Sequence, residues 1–315
     1  MTPRLVLLTV ALAVSGCGLL PSPLGTPPVP EARVAVPVSS VHYRGYASAD
    51  ALAEALRWRP GAPVWVSAHR GGPRPGLPEN SLPALDHALN YAPALLEVDV
   101  RRAADGALVL LHDDTLDRTT TGTGALAEHA LADLRRLRLE DERGALTSFR
   151  IPTLGETLAW AQGRGVLLLD VKPGVTPERL AAAVQAADAG GRVVVIVTSL
   201  DDLIAFRRVA PELVYSVSTE TVGEIDEILA AGVPPDRLIA FGGVGDVDPA
   251  VVERWHALGV RVQVGTFGAI DRAAAEQSVP TAYDGLLALG VDVLSTDNVP
   301  AAAIAARTAN LRRPR

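Results

Sequence analysis

The chain has 315 residues, 48% of them hydrophobic but only 4% aromatic, and a formal net charge of −7. Such a length suits one α/β barrel of about 250 residues plus a leader, with aliphatic side chains filling the core. The acidic balance argues against a nucleic-acid binder, which carries a basic stripe, and the single cysteine, Cys17, rules out an intrachain disulfide framework.

In chain order, Met1 to Gly18 reads as an export signal. Arg4 opens it, Leu5 to Val14 is apolar, and the small residues Ser15-Gly16 follow. The apolar run is too short to span a bilayer. Val14-Ser15-Gly16-Cys17 resembles the bacterial lipobox, whose cysteine is lipidated after cleavage. Residues 1–17 are therefore expected to be a lipoprotein signal peptide. Residues 18–41, rich in proline, read as an extended tether. Residues 42–315 form the expected barrel domain. This organisation implies an exported protein, lipid-anchored to the bacterial cell envelope, with the membrane as its one macromolecular neighbour. No protein partner is inferred.

Beyond a short helix at Ala49–Trp58, apolar and β-branched runs alternate with helical segments. That pattern predicts a parallel sheet closed by helices, a (β/α)8 barrel of the TIM type. Strands are expected at Val64–Ala68, Leu95–Val100, Leu108–Leu111, Val166–Val171, Val193–Thr198, Val214–Ser218, Leu238–Phe241, Val260–Thr266 and Val291–Ser295. Leu180–Ala189, Val222–Ala231 and Pro249–Leu258 carry helical spacing. The irregular place is the second and third strands, too close for a crossover helix. Asp105-Gly106 instead predicts a hairpin. A two-residue turn there pairs Ala104 with Ala107 and sets Asp99 opposite His112.

Chemistry-bearing residues cluster where strands end. Glu97 and Asp99, two apart on a strand, share one face. Flanked by Leu95, Leu96, Val98 and Val100, they are expected to be buried, which needs a compensating cation or proton. Asp170 ends Val166–Leu169 in the same way, with Lys172 on its face. Three oxygen ligands suit Ca²⁺ or Mg²⁺ rather than zinc. Lys172 is the only lysine among 29 basic residues, so a compact ammonium stands in a chain otherwise committed to arginine. His69 and His112 each follow an apolar strand. Arg70 offers a forked donor to phosphate, and Gly71-Gly72 permits close backbone approach. Pro78-Glu79-Asn80-Ser81 begins a helix capped by Asn80 or Ser81, with Pro83 in its first turn; Glu79 and Asn80 are candidate supporting residues.

Taken together these runs resemble the glycerophosphodiester phosphodiesterase family. The likeness lies in His69-Arg70-Gly71, Pro78-Glu79-Asn80, Glu97-x-Asp99, Asp105-Gly106, His112-Asp113, Arg118-Thr119-Thr120, Ile151-Pro152-Thr153-Leu154, Asp170-x-Lys172 and Thr296-Asp297. It runs from about Val64 to Pro300 and is densest before residue 173. The resemblance implies a (β/α)8 barrel with His69 and His112 as acid and base, in either order. It further implies that Glu97, Asp99 and Asp170 hold one divalent cation, and that Arg70 and Lys172 contact phosphate. There are two departures. Asp170 stands where the family usually has Glu, and Gln263-Val264-Gly265-Thr266-Phe267-Gly268 replaces a Trp-Thr-Val-Asn-like run, which bears on alcohol specificity. The implied reaction is metal-dependent hydrolysis of a glycerophosphodiester to sn-glycerol 3-phosphate and an alcohol. An alternative is phospholipase-D-like hydrolysis of lysophospholipid or sphingomyelin. A third is a lipid-anchored binding protein without turnover.

Overall fold

The computed structural model describes residues 42–277 and 280–313. The signal peptide, Cys17 and the tether to residue 41 lie outside the described residues. Nine strands run in chain order: β1 (Trp65–Ala68), β2 (Ala94–Arg102), β3 (Leu108–Leu110), β4 (Val166–Val171), β5 (Val193–Val197), β6 (Val214–Ser218), β7 (Leu238–Val244), β8 (Arg261–Gly265) and β9 (Val293–Thr296). Eight of them pair in parallel in the order β1-β9-β8-β7-β6-β5-β4-β2, and β1 pairs with β2 to close the ring. This is the (β/α)8 barrel that the alternation of apolar runs predicts.

β3 stands outside the ring, antiparallel to β2. Its register differs from the expected one by a residue. Ala103, not Ala104, meets Ala107, and Leu111, not His112, lies opposite Asp99. The connection is a three-residue turn rather than a two-residue one. Gly106 takes the left-handed conformation (φ 86°), as the last position of such a loop requires. Asp105 Oδ1 accepts the Ala107 amide and steadies the turn.

The return helices begin where side chains can cap them. Thr176, Ser199, Thr221 and Asp248 accept backbone N–H groups at the heads of Pro177–Ala186, Leu200–Val209, Val222–Ala230 and Pro249–Ala257. The first of these starts three residues before the periodic run at Leu180, because Thr176-Pro177 supplies both cap and first turn. Leu52, Ala53 and Leu56 of the helix Ala49–Leu56 pack onto inward-facing residues at the strand starts, among them Trp65, Val166, Val214 and Val293. That helix closes the N-terminal end of the barrel. A separate apolar cluster, including Val109, Leu111, Leu116, Leu134 and Ile151, lets the long excursion after β2 fold on itself. The C-terminal rim is left for chemistry. Among the described residues no helix is long and apolar enough to cross a membrane.

Candidate active site

The rim assembles most of the expected residues. Ligand oxygens of Glu97, Asp99 and Asp170 lie within 4.8 Å of one another. Asp99 and Asp170 are register partners on adjacent strands, and Glu97 shares the face of Asp99. The loop after β1 folds over them. The Arg70 amide donates to Glu97 Oε2 at 2.5 Å, and the Asn80 amide donates to the Arg70 carbonyl at 2.9 Å. Arg70 and Asn80 both occupy the left-handed region (φ 49° and 56°), a strain of about 1–3 kcal/mol each that surrounding bonds must hold. Asn80 does so through its amide, donating to Asp99 Oδ2 at 2.7 Å while accepting the Asp99 amide at 2.9 Å. Ser81, not Asn80, caps the following helix, which frees Asn80 for this role. Gly71 (φ 85°) packs so closely that a Cβ would sit 2.8 Å from Leu85 Cδ2.

Charge is arranged in layers. Lys172 Nζ reaches Asp99 Oδ1 at 2.7 Å and Asp170 Oδ2 at 2.6 Å. Burial pushes the Asp99 carboxyl up, but the attraction and hydrogen bond of Lys172, with that of Asn80, outweigh it and hold the group below its ordinary value. The same contacts raise Lys172 despite burial. Glu97 is the exception. Burial first, then the charge of Asp99, raise it well above the usual carboxylate range. A buried carboxylate that resists ionising beside two others is a site short of positive charge. Among the described residues, Glu97 Oε1 and Asp170 Oδ1 receive no hydrogen bond, and all donors are hard oxygens. The three residues therefore fit a divalent cation of the Ca²⁺ or Mg²⁺ kind.

The two histidines are held alike. Nδ1 of His69 contacts Asp297 Oδ1 at 2.8 Å, and Nδ1 of His112 contacts Asp113 Oδ1 at 2.8 Å. A carboxylate only accepts, so each Nδ1 carries the proton and each Nε2 is left for chemistry. His112 follows the bend after β3, where its carbonyl accepts from Arg101 Nε and Nη2 at 2.9 and 2.6 Å. It lies near Asp99, and the ring when protonated helps keep that carboxylate charged. Arg70 Nε is buried, 3.9 Å from Asp99 Oδ2, and makes no hydrogen bond. A buried unpaired guanidinium donor is costly, and an anionic ligand would satisfy it.

Sequence reasoning did not assign Asp113, Arg118 or Asp297. Asp113 adjoins His112, and Arg118 lies in one of the motif runs; Asp297, in another, is 228 residues from its histidine. Arg118 forks onto Glu79 at 2.8 and 2.9 Å and onto Asp113 at 2.7 and 2.9 Å. Those contacts hold Asp113 far below its ordinary value, the Arg118 hydrogen bonds leading. Glu79 also accepts from Arg70 at 3.3 Å, so Arg118 links, through the two acids, the Arg70 side and the His112 side. Arg118→Lys, which cannot fork to both acids, is expected to lower kcat about 10- to 100-fold; steady-state kinetics at saturating substrate checks this.

A (β/α)8 barrel with clustered carboxylates and two aspartate-held histidines at its C-terminal rim has the layout of a barrel hydrolase. Residues 69–301 match the glycerophosphoryl diester phosphodiesterase family. The chain belongs to that family. A glycerophosphodiester phosphodiesterase of Caldanaerobacter subterraneus subsp. tengcongensis is 30% identical over 155 residues, covering 47% of this chain and 63% of that one. Glycerophosphodiester phosphodiesterase 1 of Bos taurus is 38% identical over 113 residues, covering 35% of this chain and 34% of that one. The chain thus spans less than two thirds of the length of either relative. The solved structure of a glycerophosphoryl diester phosphodiesterase from Parabacteroides distasonis is similar at a TM-score of 0.77 and 29% identity, over 84% of this chain and 94% of that one.

Proposed function

We propose that this protein hydrolyses glycerophosphodiesters to sn-glycerol 3-phosphate and an alcohol. The observation that carries the reading is the convergence of Glu97, Asp99 and Asp170 beside two histidines whose Nδ1 atoms are each tied to an aspartate. Glu97, Asp99 and Asp170 would hold one Ca²⁺ or Mg²⁺, which when bound supplies a Lewis acid that polarises phosphoryl oxygens. Arg70 presents its unsatisfied Nε to the phosphate, and Lys172 adds a second positive charge. One histidine takes a proton from the nucleophile through Nε2, and the other gives one to the leaving oxygen. Three carboxylates with one dication leave a single negative charge. Arg70 and Lys172 reverse it, so the site attracts a singly charged diester.

The test is a substrate panel in Ca²⁺, in Mg²⁺ and after chelation, with products identified. Glycerophosphocholine giving sn-glycerol 3-phosphate and choline supports the reading. Turnover confined to lysophosphatidylcholine or sphingomyelin would replace it with the phospholipase-D-like alternative. We also read Cys17 as the lipidated residue that tethers the enzyme to the cell envelope, on the lipobox-like run before it. Fatty-acid labelling of the expressed protein should be lost in Cys17→Ala; undiminished label in that variant would refute the anchor.

A further inference from the structure

Asp271 is a buried carboxylate whose hydrogen-bond donors are all hydroxyls or amides. Its Oδ1 accepts from the hydroxyls of Thr266 at 2.9 Å, Tyr283 at 2.8 Å and Thr296 at 2.7 Å, and its Oδ2 accepts the Asp297 amide at 2.8 Å. Asp271, Thr266, Tyr283 and Thr296 are all buried. Apolar side chains could fill this space without the desolvation cost of a carboxylate, so a polar cluster of this kind calls for a role.

The fourth donor points to that role. Asp297 is the residue that holds His69 Nδ1, yet its side chain is 45% exposed and has little packing to fix it. Its backbone is fixed instead, by Asp271. The segment that carries Asp271 also reaches His69 directly. Phe267, next to Thr266, stacks on the imidazole with centroids 4.2 Å apart and planes 17° apart. Its ring occupies space that a Cβ on Gly265 would invade at 2.8 Å. The glycine that departs from the family's usual run thus makes room for the stack. His69 is gripped on its edge by Asp297, from the chain leaving β9, and on its face by Phe267, from the chain leaving β8.

We propose that Asp271 is a positioning residue: acting through Asp297, it keeps His69 in the tautomer with its proton on Nδ1 and Nε2 bare. The proposal rests on the reading of His69 as an acid–base group. Its effect belongs to turnover rather than to substrate binding, because Asp271 touches no phosphate-facing side chain.

The test uses the full chain with Asp271→Asn, Tyr283→Phe and Asp297→Asn. Long-range ¹H–¹⁵N spectra of the imidazoles report the tautomer, and kinetics on glycerophosphocholine report the chemistry. Wild type should show His69 protonated on Nδ1. Asp271→Asn should show a mixture of tautomers, with kcat lower by about 10- to 100-fold and KM within about twofold. Adding Asp297→Asn should lower kcat little further. Tyr283→Phe keeps the ring and removes one donor, and should move both readouts the same way by less; it carries the test alone if Asp271→Asn does not fold. The proposal is overturned by wild-type kcat in the variants, by a loss of kcat with an unchanged His69 spectrum, or by a change confined to KM. Should wild type hydrolyse no glycerophosphodiester, the functional reading fails, while the His69 spectra still decide whether Asp271 sets the tautomer.

Discussion

Replacing His112 or His69 with alanine is expected to lower kcat about 10²- to 10⁴-fold, with the fold and cation affinity retained. Each ring has Nδ1 committed to an aspartate, at 2.8 Å in both cases, so Nε2 is the atom left to move a proton. Neither deletion strands a buried charge. Without His112, Asp113 keeps its fork to Arg118. Without His69, Asp297 is half-exposed to solvent and keeps its backbone bond to Asp271. The loss should therefore appear in steady-state kcat and not in thermal unfolding or calorimetric cation binding. Unaltered turnover in either variant would remove that histidine from the acid–base pair.

Glu97→Gln should abolish cation binding and turnover together, and it should do so without unfolding the protein. In the cation-free protein burial and Asp99 raise Glu97 well above its ordinary value, so glutamine imitates the protonated side chain that burial favours. The sign of the pH effects follows. Glu97 binds its proton more tightly in the folded than in the unfolded chain. Its contribution to the stability of the cation-free protein is thus complete below the ordinary glutamate pKa and is lost as pH rises through the raised value. A bound cation replaces that proton. Cation affinity should accordingly rise with pH, and binding should release protons, measurable by calorimetry in buffers of different ionisation enthalpy. At pH above the raised value, cation-free Glu97→Gln should melt above cation-free wild type. Equal affinity at low and high pH would contradict the assignment of Glu97.

Much of this architecture was legible in the sequence, because parallel strands buried on both faces read as continuous apolar runs. Val166–Val171 and Val214–Ser218 match their expected bounds residue for residue. The acids were legible for a related reason. A carboxylate ending such a run, as Asp170 does, has no apolar explanation. The β2–β3 register was missed by one residue because Asp105-Gly106 suits both two- and three-residue turns, and only tertiary pairing chooses between them. Asp297 and Asp271 were out of reach for a different reason. Asp297 meets His69 only once the ring has closed through β9 and β1, and Thr296 meets Asp271 only once β9 lies beside β8. Arg118 lay in a motif run, but its double fork onto Glu79 and Asp113 depends on how the excursion after β2 folds back over the rim.

The most direct test is diffraction from crystals soaked in Mn²⁺, a hard cation that reports its position by anomalous scattering. A single strong anomalous peak among the carboxylates of Glu97, Asp99 and Asp170, absent from Glu97→Gln crystals, is the predicted result. No peak there at saturating Mn²⁺, in a protein that still turns over glycerophosphocholine after exhaustive chelation, would contradict the account.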